Sequence, residues 1–314
     1  MTRAFIFPGQ GSQVIGMGKD LADAYPTARQ TFEEINDALG QNLTKIMWEG
    51  PENDINLTEN TQPALMAVSL AVMNVLTKDA GLVLPSVASF VAGHSLGEYS
   101  ALTAAGSFTL SDTARLLKLR GQSMQQAVPV GQGAMAAILG LDFEQVKAIA
   151  IEASHSEICE AANDNAPGQV VISGHKGAVE AAIALATAAG AKRALALPVS
   201  APFHCQLMAP AAEKMHEALG KTDIRPPLVP VVANVTASAV SAPDQIRELL
   251  VEQITGRVRW RESVTWMKEQ GVTEMIEIGT GKVLAGLVKR IETDVVASSV
   301  GTPAQIDELI EKLK

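Results

Sequence analysis

One pentapeptide, Gly93-His94-Ser95-Leu96-Gly97, constrains the fold more than any other stretch of the chain. A G-x-S-x-G sequence has chemical meaning where a strand runs into it and a helix runs out of it. Upstream, Ser86 to Ala92 is short and apolar and reads as a buried strand. Downstream, Leu96 to Ala105 is rich in Ala and Leu and reads as a helix closed by Gly106. Glycines on either side allow a sharp turn and a close approach of neighbouring strands. Ser95 then sits exposed at the turn, and the amide of Leu96 is free at a helix N-terminus, able to donate to an oxyanion. Glu98 falls in the first helical turn, where negative charge is favoured. A chance match in a Gly- and Ala-rich chain is the plain alternative, and it does not supply this context.

The remaining chain alternates strands and helices, which implies a mostly parallel sheet. Ala4 to Phe7 reads as a first strand, stopped by Pro8. The loop Pro8-Gly9-Gln10-Gly11-Ser12-Gln13 follows it, but Val14 stands where a dinucleotide fingerprint needs its third glycine. Gly279-Thr280-Gly281-Lys282-Val283 lacks the phosphate-loop spacing as well. The loop at Gln10 is either a tight turn or a flexible backbone that brings an amide to a substrate. Residues 20 to 80 read as helical with breaks near Gly40 and Gly50-Pro51, and Pro63 to Leu76 is apolar on nearly every face, a buried helix. Leu228 to Val235, Glu274 to Ile278 and Val295 to Val300 read as further strands.

Between these lies a segment with its own rhythm. Ala134 to Leu139, Ile158 to Ala162, Gln169 to Ser173 and Arg193 to Val199 read as strands, with helices over Asp142 to Ala153 and Gly177 to Ala189. That β-α-β-β-α-β order is the ferredoxin-like pattern. Asn163 to Gly168 reads as turn chemistry between the two middle strands. The expected division is a discontinuous large α/β domain, 1–126 and 200–314, with a small inserted domain over 127–199.

Charge and cysteine usage exclude several classes. The net charge of −9 argues against a general nucleic-acid binder. Cys159 and Cys205 form no C-x-x-C pair, so neither a disulfide framework nor a zinc site is suggested. No apolar run has transmembrane length and the N-terminus has no secretory core, so a cytoplasmic protein with no membrane partner is expected.

Two more residues complete a candidate site. Ser111 could cap a helix running to about Ala127, whose polar face is Arg115, Lys118, Gln122 and Gln125. Arg120 falls on the opposite, inward side, one turn after Leu116 and one before Met124. A buried guanidinium needs an anionic partner, unless it serves a structural ion pair or snorkels to solvent. Among five histidines, His94 should turn away from the serine and shape the elbow. His155 and His175 read as solvent-facing, and His216 lies in a predicted helix. His204, in an apolar loop beyond a strand end, is the best base candidate.

With Ser95, Arg120 and His204 in view, the chain resembles the malonyl-CoA:acyl carrier protein transacylase family of fatty-acid synthesis. The motifs are Phe7 to Gln13, Thr61-Gln62-Pro63-Ala64-Leu65, Gly93 to Tyr99, Leu119-Arg120-Gly121, Ala201-Pro202-Phe203-His204 and Gly279 to Val283, in this order along the whole chain. The resemblance implies an α/β-hydrolase-like large domain with an inserted ferredoxin-like small domain. It implies Ser95 as nucleophile, His204 as base and Arg120 as partner of the malonyl carboxylate. The amides of Gln10 and Leu96 would form the oxyanion hole, and the Gln253 carbonyl would orient His204. Malonyl-CoA and acyl carrier protein are the implied partners, with no metal or other cofactor, and a monomer is the working expectation. Gly279-Thr280-Gly281 departs from the Gly-Pro-Gly of the family.

Two rival readings share parts of this pattern. A serine thioesterase or esterase would bring an acidic residue between Ser and His in chain order. Asp112, Asp142 and Asp164 lie there, but the first starts a predicted helix and the others fall in the small domain. A non-catalytic acyl-carrier-binding module would not need an intact Ser95 and His204.

Overall fold

The computed structural model describes residues 2–199 and 201–313, so Ser200, where the expected domain boundary falls, lies outside the described residues. Among the described residues, ten strands appear in chain order: β1 (Arg3–Phe7), β2 (Phe90–Gly93), β3 (Gly133–Leu139), β4 (Cys159–Ala166), β5 (Gln169–His175), β6 (Arg193–Ala196), β7 (Val231–Ala233), β8 (Ser238–Val240), β9 (Glu274–Ile278) and β10 (Val296–Val300). They form two sheets, ordered β10-β9-β1-β2-β7-β8 and β4-β5-β3-β6.

The six-stranded sheet is parallel from β10 to β7, and only β8 runs antiparallel, as a hairpin partner of β7. Its central strand β1 is apolar on both faces, as a strand covered by helices on both sides must be. Phe5 and Phe7 pack into one core with the helix Thr58–Asn74, while Ala4 and Ile6 pack into another with Trp260, Val264 and Val288. The register pairs Phe7 with Gly93, so the loops after β1 and β2 emerge side by side at the carboxyl ends of their strands. Ligands of open α/β sheets bind in crevices at those ends.

The four-stranded sheet is antiparallel throughout, with the strand order of a ferredoxin-like unit. Ala136, Ile138, Val170 and Ile172 face its own helices, Phe143–Ser154 and Lys176–Ala188. The alternate residues Met135, Ala137 and Val171 point the other way, toward the large sheet. The fold is therefore the expected α/β-hydrolase-like core with an inserted ferredoxin-like unit.

Several local expectations are corrected. The strand into the elbow is Phe90–Gly93, shorter than Ser86 to Ala92, because Leu84–Val87 forms one helical turn started by Pro85 at a position that needs no amide hydrogen. The cap of the Leu110–Gln126 helix is Thr109, whose side chain accepts from the Asp112 amide, while Ser111 donates to Glu34 instead. Asn163 to Ala166 is strand rather than turn, and only Pro167 and Gly168 make the connection. Asp164 is fully buried there and pairs with Arg261 at 2.7 Å. His175 is not merely solvent-facing, since its ring nitrogen accepts from the Ile158 amide at 2.9 Å.

Candidate active site

Ser95 has φ of 53° at the turn between β2 and the helix Gly97–Ala104, a left-handed conformation that a non-glycine residue holds only when its surroundings impose it. Those surroundings are specific. A Cβ at Gly93 would lie 1.9 Å from the Gly97 carbonyl, and one at Gly97 would lie 2.3 Å from the carbonyl oxygen of Phe7. The two glycines thus let helix, elbow and β1 touch through their backbones. Asn234, just after β7, clamps the turn from below: its Oδ1 accepts from the Ser95 amide at 2.8 Å and its Nδ2 donates to the Gly93 carbonyl at 2.7 Å.

His204 meets Ser95 across the crevice. Its Nε2 lies 2.7 Å from Ser95 Oγ and its Nδ1 lies 2.9 Å from the Gln253 carbonyl oxygen. A carbonyl can only accept, so Nδ1 carries the hydrogen and Nε2 faces the serine hydroxyl with its lone pair. Burial, and after it the positive charge of Arg120, push the His204 imidazole down to about 3. The ring is a neutral base at any ordinary pH. His204 also has a positive φ, 60°, which turns its ring out of the loop toward the elbow.

Arg120 is 1% exposed and does not snorkel. Its Nη1 donates to Gln62 Oε1 at 2.8 Å, and its Nη2 donates to Gln253 Oε1 at 2.9 Å and to Ser95 Oγ at 3.2 Å. All three acceptors are neutral, and Nε has no partner among the described residues. The Tyr99 ring lies 5.7 Å from the guanidinium carbon. Burial lowers the Arg120 pKa, yet a guanidinium stays charged in proteins. The site therefore holds a buried cation next to the serine with no carboxylate bonded to it.

Gln10 and Leu96 line the same pocket, about 270 Å³ in volume, with Met124 on the large side and Met135, Ala137 and Val171 on the small sheet. Leu96 is the N-cap of the helix Gly97–Ala104, where backbone amides lack intrahelical partners. His94 lines the pocket without meeting the Ser95 hydroxyl, and its Nε2 lies 2.8 Å from Asn165 Oδ1 of β4, joining the elbow to the small sheet. Among the described residues, no group of three or more His, Cys, Asp or Glu is placed to hold a metal ion. Cys205 is buried, with its thiol pushed up to about 11 chiefly by desolvation, and Cys159 is pushed up to about 12 for the same reason, so neither is a nucleophile near neutral pH. Asp112 pairs with Arg115 in the first turn of its helix, Asp142 caps the helix Phe143–Ser154, and Asp164 is bound to Arg261, so none of the three reaches His204.

Thus the structure brings Ser95, His204, Arg120, Gln253, Gln10 and Leu96 to one crevice from five separate places in the chain. Sequence reasoning missed Asn234, gave Gln62 no role and read Glu98 only as a helix-end charge. Gln62 was visible in the Thr61-Gln62-Pro63 motif, as a polar residue entering an apolar helix. Asn234 had no signal beyond its place at the end of a predicted strand.

Comparison with known proteins agrees with this geometry. Residues 4–313 match the family model described as an acyl transferase domain. The chain is 47% identical over 308 residues to the malonyl CoA-acyl carrier protein transacylase of Escherichia coli strain K12, covering 98% of each chain. It superposes with a TM-score of 0.98 on an acyl-carrier-protein S-malonyltransferase from Bartonella henselae, at 53% identity and covering 100% of this chain and 99% of that one. A malonyl-transacylase solved in complex with a type II PKS acyl-carrier protein is 46% identical with a TM-score of 0.96, covering 99% and 100%. The chain belongs to the malonyl-CoA:acyl carrier protein transacylase family.

Proposed function

We propose that the protein moves malonyl from malonyl-CoA to the phosphopantetheine thiol of acyl carrier protein through a malonyl ester on Ser95. His204 Nε2 takes the hydroxyl proton as Ser95 Oγ bonds to the thioester carbonyl carbon. The amides of Gln10 and Leu96 stabilise the oxyanion. As the C–S bond breaks, the proton on His204 passes to the departing coenzyme A thiolate. The carrier thiol then gives its proton to His204 and attacks the ester, and His204 returns that proton to Ser95 Oγ as the ester C–O bond breaks. The Gln253 carbonyl holds the imidazole in the reactive tautomer through both halves, in place of a carboxylate. A planar guanidinium matches the malonyl carboxylate as a bidentate partner.

The observation that carries this reading is Arg120, a buried cation 3.2 Å from Ser95 Oγ whose bonded partners are all neutral. A simple esterase has no use for it. Residues 1–126 with 200–314 act in this reading as the catalytic unit, and 127–199 as the unit that walls the pocket. Every group used belongs to one chain, which fits a monomer, and two free buried cysteines fit the reducing cytoplasm. For the carrier, the exposed Lys192, Arg193, Lys289 and Arg290 are the basic docking residues. Arg290 bonds Gln169 of the pocket wall and so borders the site.

Intact-mass spectrometry after mixing with malonyl-CoA tests the proposal. One malonyl adduct is expected on the wild type and none on Ser95→Ala. An adduct that persists in Ser95→Ala would move the nucleophile elsewhere.

A further inference from the structure

Arg120 depends on Gln253 for its orientation, and Gln253 in turn depends on a residue that the reaction itself does not touch. A side-chain amide can present either end, and a Gln beside a guanidinium helps only when its oxygen faces the cation. Here Gln253 Oε1 does so, at 2.9 Å from Arg120 Nη2. The opposite end explains why. Gln253 Nε2 donates to Glu98 Oε2 at 2.8 Å, to the Ser95 carbonyl at 3.1 Å and lies 3.3 Å from Asn234 Oδ1. A half-turn of the amide would set its oxygen against three acceptors and its NH₂ against the guanidinium. The shortest of the three contacts is Glu98.

Glu98 is 2% exposed, and its Oε2 also accepts from the Asn234 amide at 3.0 Å. A carboxylate that merely complements a helix dipole sits near the amides of its own first turn. Glu98 instead reaches across to β7's end and to the helix Pro243–Thr255, beneath the elbow. Resting on the malonyl-transfer reading above, we propose that Glu98 is a positioning residue for acyl selection: it fixes the Gln253 amide, which holds the Arg120 guanidinium against Ser95 for a substrate carboxylate. What it supplies is an acceptor. Burial raises its pKa to about 7, so its charge is easily given up while the Oε2 lone pairs remain. Glutamine can keep an oxygen in that place, held there by the Asn234 amide, and leucine cannot.

The test is the ratio of malonyl to acetyl loading on Ser95, read by intact mass at early times with each acyl-CoA, in wild type, Glu98→Leu, Glu98→Gln, Gln253→Met and the Glu98→Leu/Gln253→Met double variant. A lost hydrogen bond to a charged group predicts a fall in the ratio of about tenfold in Glu98→Leu and in Gln253→Met. The double variant should fall no further, because both act on one contact. Glu98→Gln should stay within about threefold of wild type, a conservative rescue that a general loss of packing would not give. A ratio that is unchanged in Glu98→Leu, or one that drops as far in Glu98→Gln, overturns the proposal. If Glu98→Leu does not fold by circular dichroism, Gln253→Met decides alone, since its backbone carbonyl still meets His204: a wild-type ratio there means the amide does not hold Arg120. Failure of the malonyl-transfer reading shows separately, as a wild type that does not prefer malonyl.

Discussion

On the side of the parallel sheet, the pocket is held by backbone contacts and buried hydrogen bonds; on the side of the antiparallel sheet, it is walled mostly by apolar side chains, with Asn163, Asn165 and Gln169 among them. Ser95 is fixed by Gly93 and Gly97, by both ends of the Asn234 amide and by Gln253. Met135, Ala137 and Val171 offer only surface. The small sheet is tied across by a few polar links, His94 to Asn165, Arg261 to Asp164 and Arg290 to Gln169. Reaction geometry tolerates little displacement, since an error of 1 Å can cost about a hundredfold in rate. An apolar wall tolerates exchange of similar volumes. The chemistry therefore sits on the over-determined side, and in the reading proposed above the side that is free to vary shapes the acyl group.

Changes on the two sides should differ in size. The largest effect is expected for Gly93→Ala, where the new methyl collides with helix backbone that cannot move without carrying Ser95 along. Ser95 acylation should drop by at least about a hundredfold, checked by intact mass on protein shown to be folded. His204→Ala removes the base and should slow acylation by about a hundred- to ten-thousandfold, measured by stopped-flow release of coenzyme A. Between the two sides, Arg261→Ala, in the helix Trp260–Glu269 of the large unit, strands the buried Asp164 carboxylate of the small sheet. Because Arg261 is about one-third exposed, solvent screens part of the loss, and denaturant unfolding should show about 1–3 kcal/mol of destabilisation, with far less change in acylation than Gly93→Ala or His204→Ala. Reversing Lys289 and Arg290 to Glu should raise KM for the carrier several-fold at low salt, and the difference should fade as salt screens the patch. The smallest expected effect is none at all. An ordinary histidine base loses activity below about pH 6.5. A His204 pKa lowered to about 3 means the neutral ring persists as pH falls, so acetyl loading should be flat from pH 8 to pH 5 on account of this group. Glu98 titrates at about 7 in the same window, so a fall with a midpoint near 6.5 that persists in Glu98→Gln would show that the imidazole is more solvated than its burial implies.

The sequence was legible where a local pattern and a tertiary demand coincide. The elbow needs glycine at two positions and a serine between them, so the pentapeptide announces itself. Arg120 stood out because helical periodicity turned a charge inward. The segment from Asn163 to Ala166 misled for the converse reason. Asn and Asp favour turns because their side chains compete locally for backbone groups, but here Asp164 is bound by Arg261 and Asn165 by His94. Partners nearly a hundred and about seventy residues away leave no trace in a window of six. Asn234 and the reach of Glu98 were hidden likewise, since each works on another strand or helix. Ser86 and Val87 read as strand but belong to the helical turn that Pro85 opens, a choice that composition leaves undecided.

The central claim is that Arg120 selects malonyl for Ser95. Breaking a buried charge pair costs about 3–5 kcal/mol, and each 1.4 kcal/mol or so is about tenfold in rate. The direct test is the ratio of malonyl to acetyl loading on Ser95 in wild type and Arg120→Ala. Malonyl loading should fall by roughly two to three orders of magnitude while acetyl loading falls much less or rises, with Arg120→Lys recovering only part because an ammonium lacks the planar fork. Equal loss of both acyl groups would make Arg120 a structural residue and contradict the account.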